Sequence, residues 1–480
     1  MVMSENRVQS LTKELESSDE IIVEIDEHLS ALENSNDVSA EFVSSIGSML
    51  VEISKKLKTN KTVQNDYTSW LKDSYNRGND ALEKIVTRSA KKDLRVVAFK
   101  ALVGLIPLHN DAFESKNMFP YNKYADLLRT LMICEHDISP VLPHLKDVLR
   151  YDDMKKSLWK ALDLATQMDR LPVVKELSNI IRIVQCYEAP KKTEEPKQRF
   201  VRVKAVPLKP KETDKCLRRL WERLAMVKMD KDVKQLLLLA LLEKIMPLMD
   251  RPVFLTDYFM GSLEEGGAIA VLALQGILEL IQKYNMNYPD VYGKLYSMFT
   301  PDLFQTPYKS RFYYLSNLFM SSTMLPEALV AGFVKRLARL ALVASPTDII
   351  IILTFIINLI IRHPNLKCLM SRPGIAHFDS DPYLPNEPNP AESRAIDSCL
   401  WEVKLLQDHV VPTVAHTAHF IDQELPEIEK DMSAFLDHNI QHIFEKEMCI
   451  KVEEPPLTFE RPSSTFLHKP SVMLAFSAWE

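Results

Sequence analysis

The sequence predicts an all-α protein: an α-solenoid of stacked helical pairs, HEAT/armadillo-like, in two helical units joined by a basic, proline-containing linker. Three observations carry that prediction. Apolar residues recur at spacings of three and four through most of the 480 residues, the pattern that gives a helix one continuous apolar face. Pro107, Pro143 and Pro172 punctuate the N-terminal part at intervals of about 30 to 36 residues, the length of a helical pair in stacked repeat proteins, although no repeat signature accompanies them. The stretch Ser345 to Pro364, SPTDIIIILTFIINLIIRHP, reads as one helix with both ends marked.

A first helical repeat domain is expected over residues 1–187. Phe42, Ile46, Met49, Leu50, Ile53 and Leu57 make one stripe; Leu94, Val97, Ala98, Ala101, Leu102 and Leu105 make the next. Leu142, Leu145, Val148 and Leu149 follow, then Val173, Leu177, Ile180, Ile181 and Val184. Residues 188–213 change character. Prolines 190, 196, 207 and 210 interrupt helical order, and from Lys191 to Arg219 eleven Lys or Arg face four Asp or Glu. The segment reads as a solvated basic linker. The sharper alternative, an import signal or RNA-contacting arm, lacks the run of five or more basic residues it would need.

The second helical domain is expected over 214–452, and its helices are richer in leucine: LRRLWERLAMV, QLLLLALLEKIMPLM and GAIAVLALQGILELIQKY. Tyr288, Tyr292, Tyr296 and Phe299 then recur at helical spacing. Aromatic rings can stack on RNA bases, but a stripe at this spacing commonly supplies core area between helices. In LPEALVAGFVKRLARLALVA, Phe333, Leu337, Leu340 and Ala341 share one face, while Lys335, Arg336 and Arg339 fall together on another. Three clustered cations can hold a phosphate backbone or an acidic partner; a basic face paired with nearby carboxylates is the plain alternative.

The Ile-rich helix comes next. Ser345 can cap its first turn, Pro346 fits the first helical position, and Asp348 meets the positive end of the helix dipole. Pro364 stops it, because proline has no amide donor and disfavours helical geometry in the residue before it. Between the ends, Ile349 to Ile361 is interrupted only by Thr354 and Asn358. That run spans about 20 Å, short of the roughly 30 Å hydrocarbon layer, so a buried core helix is expected rather than a membrane span. Its isoleucine content leaves a buried strand pair as the other option, and Asn358 needs a hydrogen-bonding partner in any of these settings.

Beyond it, Asn389, Pro390 and Glu392 spell a helix start, with Asn as cap, Pro in the first position and Glu reaching back to the cap. Trp401 lies in the helix expected to follow. The tail, 453–480, is not periodic and holds four prolines, but Phe459, Phe466, Phe476 and Trp479 are apolar anchors suited to its own domain or to a partner.

Composition narrows the chemistry. The 10 glycines form neither GxGxxG nor GxxxxGK[ST], which removes most nucleotide enzymes. Six cysteines without a CxxC pair suggest neither a disulfide framework nor a cysteine zinc site, and fit a reducing intracellular compartment. The charged first twenty residues predict no secretory leader. A net charge of −6 gives no global attraction to nucleic acid, so any RNA contact must come from local patches. Asp379, Asp381 and Glu387 lack calcium-loop spacing, His409, His416 and His419 have no HExxH, and no nucleophile elbow occurs. No metal, cofactor or catalytic residue is assigned, and a non-enzymatic scaffold is expected.

Several motifs from about residue 272 to 444 occur in a specific order and spacing: YPDVYGKLY at 288–296, KSRF at 309–312, LPEALVAGFVKRLARLAL at 325–342, NLIIRHP at 358–364, DPYLPNEPNP at 381–390 and CLWEVKLLQDH at 399–409. Together they resemble the CCAAT-binding-factor-type domain of the nucleolar complex protein family, in its fourth-member branch. Two departures stand out: Asn389 replaces an acidic residue and Cys399 a serine. The resemblance implies a protein of the nucleolus and nucleus that acts in the small-subunit processome, in processing of the small-subunit rRNA precursor and in pre-40S maturation and export. It implies as direct partner a second nucleolar protein of the small-subunit processome, of the fourteenth nucleolar protein type, with pre-ribosomal RNA a second candidate contact and no membrane. Lys335, Arg336 and Arg339 are the candidate contact residues. Solenoid periodicity and the basic linker also suit a nuclear transport or transcription adaptor.

Overall fold

The structure is a computed structural model, and it describes residues 19–34, 39–59, 66–112, 119–167, 172–188, 200–201, 210–284, 288, 290–371, 380–436 and 439–449. Every regular element among the described residues is helical, as an α-solenoid requires. The chain separates into two compact units, 1–288 and 289–480.

The first unit holds α1 (Asp19–Asn34), α2 (Ala40–Thr59), α3 (Asp66–Arg88), α4 (Lys92–Ala112), α5 (Tyr121–Ile133), α6 (Leu142–Val148), α7 (Asp152–Ala165), α8 (Val174–Gln185), α9 (Pro210–Ala225), α10 (Lys231–Ala240), α11 (Thr256–Glu264) and α12 (Gly267–Tyr284). Neighbours along the chain pack on one another: α2 and α3 on α4, α5 and α9 on α7, α10 and α11 on α12. Most residues of the stripes read from the sequence are buried, with Ile46, Met49, Leu50 and Ile53 of α2 wholly inside, while Val173 is exposed at the start of α8. Gly47 lets α2 approach α4 closely, since a β-carbon there would stand 2.8 Å from that of Ala101.

One proline behaves differently from expectation. Pro107 lies inside α4 rather than ending it, because the buried face carrying Leu102, Leu105 and Ile106 holds the helix together despite one lost amide bond. After α10 the helix widens into a π-turn at Leu241–Ile245 and tightens into a 3-10 turn at Met246–Leu248, where Pro247 cannot continue the ladder. By length and composition α12 is apolar enough to cross a membrane; over half of it is buried inside the unit, where it lies against α10 and α11.

In the basic segment 188–213, Phe200 and Val201 are bonded to α7. The buried Asp153 at the start of α7 accepts the backbone amides of Phe200 at 3.1 Å and Val201 at 2.7 Å. A carboxylate that must be desolvated to pack is satisfied by two donors, and they hold Phe200 and Val201 against α7.

The second unit holds α13 (Asp290–Met298), α14 (Lys309–Phe319), α15 (Glu327–Ala341), α16 (Pro346–Arg362), α17 (Trp401–Leu405), α18 (Pro412–Ala418), α19 (Ser433–Leu436) and α20 (Ile440–Met448). Its centre is α16, buried from Thr347 to Ile360 and packed against α15, α18, α19 and α20. The ends are those the sequence marks. Ser345 Oγ accepts the Asp348 amide, and the Asp348 carboxylate takes the Lys309 ammonium at 2.9 Å. At the other end Arg362 donates to the carbonyls of Asn317 and Met320, and Pro364 opens a 3-10 turn. Asn358 is answered at both ends of its amide: its nitrogen donates to the Lys430 carbonyl at 2.7 Å, and its oxygen accepts the Lys430 amide at 2.9 Å. Thr354 donates to the Ile350 carbonyl one turn back.

Candidate interaction site

The three cations of α15 lie largely inside the second unit instead of forming an exposed basic face. Lys335 has no exposed side-chain surface; its ammonium lies 2.8 Å from Glu402 Oε1, 3.1 Å from Asp381 Oδ2 and 2.6 Å from the Cys399 carbonyl oxygen. Glu402 is as deeply buried as its partner. Arg339 spans the same two carboxylates, at 2.7 Å from Asp381 and 3.3 Å from Glu402. Arg336 donates to the Phe299 carbonyl at 2.9 Å and its guanidinium stacks 4.5 Å from the Tyr296 ring. Two cations thus meet two carboxylates in a closed cluster, the arrangement a low-dielectric interior tolerates.

Asp381 organises the loop that covers α15. It takes hydrogen bonds from the Ser398 hydroxyl, the Trp401 indole at 3.0 Å and the Tyr383 amide at 3.1 Å. Burial works to raise its carboxyl, but these donors and Arg339 outweigh burial and hold it well below the usual carboxylate range. Glu402 shifts the other way: burial raises its carboxyl, and Lys335 offsets only part of that. Tyr383 and Tyr296 join hydroxyls at 2.7 Å, tying the loop to α13, and burial with this contact lifts the Tyr383 phenol far above its ordinary value.

The loop backbone lies on α15 at one glycine. A β-carbon on Gly332 would stand 2.5 Å from the Pro390 carbonyl oxygen, so the close approach needs glycine. Pro390 therefore has a packing role, although Asn389 and Pro390 do not begin a helix. The Asn389 side chain accepts the Ala391 amide at 3.1 Å and donates to Glu392 at 2.9 Å, closing a turn. The helix starts only at Trp401. Of the aromatic stripe, Tyr296 and Phe299 are core, packed edge to face on Phe333, and Tyr292 is half-buried. Tyr288 precedes α13 and bonds Thr256 in the first unit. His416 and His419 are exposed, and among the described residues no group of three His, Cys, Asp or Glu could hold a metal. Phe459, Phe466, Phe476 and Trp479 lie outside the described residues.

Sequence reasoning passed over the outer face of this unit. α20 buries Ile443 on one side and exposes Ile440, Phe444 and Met448, at spacings of four, on the other; Phe444 is 64% exposed. Glu447 accepts the Thr413 amide at 3.1 Å, which brings the start of α18 beside the end of α20. On the stretch that leads into α18, Val410 is 93% exposed, and Leu405 and Trp401 are exposed as well. The i, i+4, i+8 pattern of α20 was the signal available in the sequence.

The second unit is thus an all-helical domain with a buried charge cluster against α15 and an exposed apolar stripe on α20. Residues 270–418 match the CBF/Mak21 family. Over most of its length the chain is similar to the nucleolar complex protein 4 homologues: 33% identical to that of Homo sapiens over 426 residues, covering 85% of this chain and 82% of the relative. It is 33% identical to homolog B of Xenopus laevis over 416 residues, 83% of this chain and 79% of the relative. To nucleolar complex protein 4 of Saccharomyces cerevisiae it is 35% identical over 254 residues, 48% of this chain and 46% of the relative. The chain belongs to the nucleolar complex protein 4 family, and with it to the nucleolus and to ribosome biogenesis.

Proposed function

We propose that the chain is a non-enzymatic scaffold of small-subunit assembly, held in stable complex with a second nucleolar assembly factor of the fourteenth nucleolar protein type. In that role it supports processing of the small-subunit rRNA precursor and maturation and export of the pre-40S particle. The observation that carries this reading is the outward apolar stripe of α20, Ile440, Phe444 and Met448. Monomeric proteins seldom leave such side chains grouped, and a helical partner segment covers them with anchors at matching spacing. The cluster of Lys335, Arg339, Asp381 and Glu402 supports the same face from within by fixing α17 to α15.

The test is recovery of the full chain from nuclei with and without nuclease. The partner is expected to remain after nuclease treatment, and a Phe444→Asp, Met448→Asp double variant to lose it at least about ten-fold while melting at the wild-type temperature. A partner released by nuclease alone, or retained by the double variant, overturns the reading. Recovery with transport or transcription factors and no pre-ribosomal RNA favours the adaptor instead.

A further inference from the structure

We propose that the groove between α4 and α6 in the first unit binds single-stranded RNA, with Tyr151 and Phe200 as its stacking platform and Lys100 and Arg150 as its phosphate contacts. The groove is open and encloses about 680 Å³. Its floor is apolar, made by Phe99, Val103 and Val148. Two half-buried rings stand at its edge, Tyr151 and Phe200, with centroids 5.0 Å apart and planes inclined at 52°.

Phe200 is not there by hydrophobic collapse alone. The buried carboxylate of Asp153 takes the amides of both Phe200 and Val201, so the backbone that presents the ring is fixed by two charge-assisted hydrogen bonds. An otherwise aperiodic, charge-rich stretch is thereby held at the one point where it carries an aromatic ring. Lys100 and Arg150 are exposed on the rim, and His144 is half-buried beside them. Asp147 is the one acid of the lining, and it is paired with Arg150 at 3.3 Å. Phe200 also sits within the most basic stretch of the sequence, Lys191 to Arg219, where eleven Lys or Arg face four Asp or Glu.

Rings on an apolar floor with a cationic rim match a ligand that alternates flat, uncharged faces with negative charge, which is the chemistry of an unpaired RNA strand. An acidic protein segment would satisfy the cations but has no regular supply of planar groups for the paired rings. The preference for RNA rests on the ribosome-assembly reading; the site itself lies in the first unit and shares no residue with the stripe of α20.

The experiment is fluorescence titration of the full chain with a labelled, unstructured uridine oligonucleotide across a salt series. The wild type is expected to bind with an affinity that falls as salt rises. Phe200→Ala, which keeps the backbone held by Asp153, and the Lys100→Glu, Arg150→Glu pair are each expected to weaken binding about ten-fold, with Phe200→Trp restoring it. Ultraviolet crosslinking should mark peptides containing Tyr151 or Phe200. Equal affinity across wild type and variants, or crosslinks confined to other helices, overturns the proposal. So does failure of the oligonucleotide to bind while an acidic peptide binds through the same residues, which would assign the groove to a protein segment. Partner recovery through α20 is scored separately, so either idea can fail while the other stands.

Discussion

Lys335 is wholly enclosed among Glu402, Asp381 and the Cys399 carbonyl, and its value to the fold depends on all three. Burying two ions costs several kcal/mol each, and their attraction offsets this only when the geometry is complete. Removing one member is therefore worse than never having built the pair. Lys335→Met leaves Glu402 without its nearest cation in a site closed to water and is expected to cost about 3–5 kcal/mol. In thermal unfolding that is a loss on the order of 10 °C. Adding Glu402→Gln should recover part of it, because the uncompensated charge is then gone. Additive losses in the two single variants and the double would show that the pair does not act as a unit. This cluster is also why the sequence leaves the basic triplet open between a contact face and one paired with carboxylates: the acids that hold Lys335 and Arg339 are 42 and 67 residues distant, and no local pattern announces them.

At the scale of elements, legibility follows how local the deciding chemistry is. The limits of α16 were readable because cap, first-position proline and stop proline all lie within its own residues. Burial on every side was readable from the apolar run. The partner of Asn358 was not, since Lys430 arrives 72 residues later. Asn389-Pro390 misled for the opposite reason: the side-chain chemistry that caps a helix also closes a turn, and only the surface the turn lies on decides between them. That surface is Gly332. Gly332→Ala would gain helix propensity of about 1 kcal/mol in α15, yet place a β-carbon against the Pro390 carbonyl oxygen. The clash is with backbone that Asp381, Ser398 and Tyr383 hold in place, so the expected net effect is destabilisation of about 1–3 kcal/mol. Hydrogen exchange should rise in the loop from 380 to 400 and in α17 while α16 stays protected. A stabilised Gly332→Ala variant would show that the loop is free to lift from the helix.

For the whole molecule, the division at Tyr288 and Pro289 matters more than the basic segment at 188–213. The sequence suggested the segment as a boundary because prolines and charge cluster there. Within it, Phe200 and Val201 are held by Asp153, a pairing across 47 and 48 residues that composition does not reveal. Each unit closes a core of its own: α2, α4, α7 and α12 bury their stripes in the first, and α16 is surrounded in the second. Domains with separate cores can fold separately. Residues 1–288 and 289–480, produced as independent chains, are accordingly expected each to melt in a single cooperative transition. The two proposed contacts should then divide with them: the first chain retains the salt-dependent affinity for the uridine oligonucleotide, and the second retains the nucleolar partner through Phe444 and Met448. If 289–480 unfolds without residues 1–288, the family-matched region from 270 to 418, which begins inside α12, needs that helix for its core, and the functional unit starts there rather than at the compact boundary.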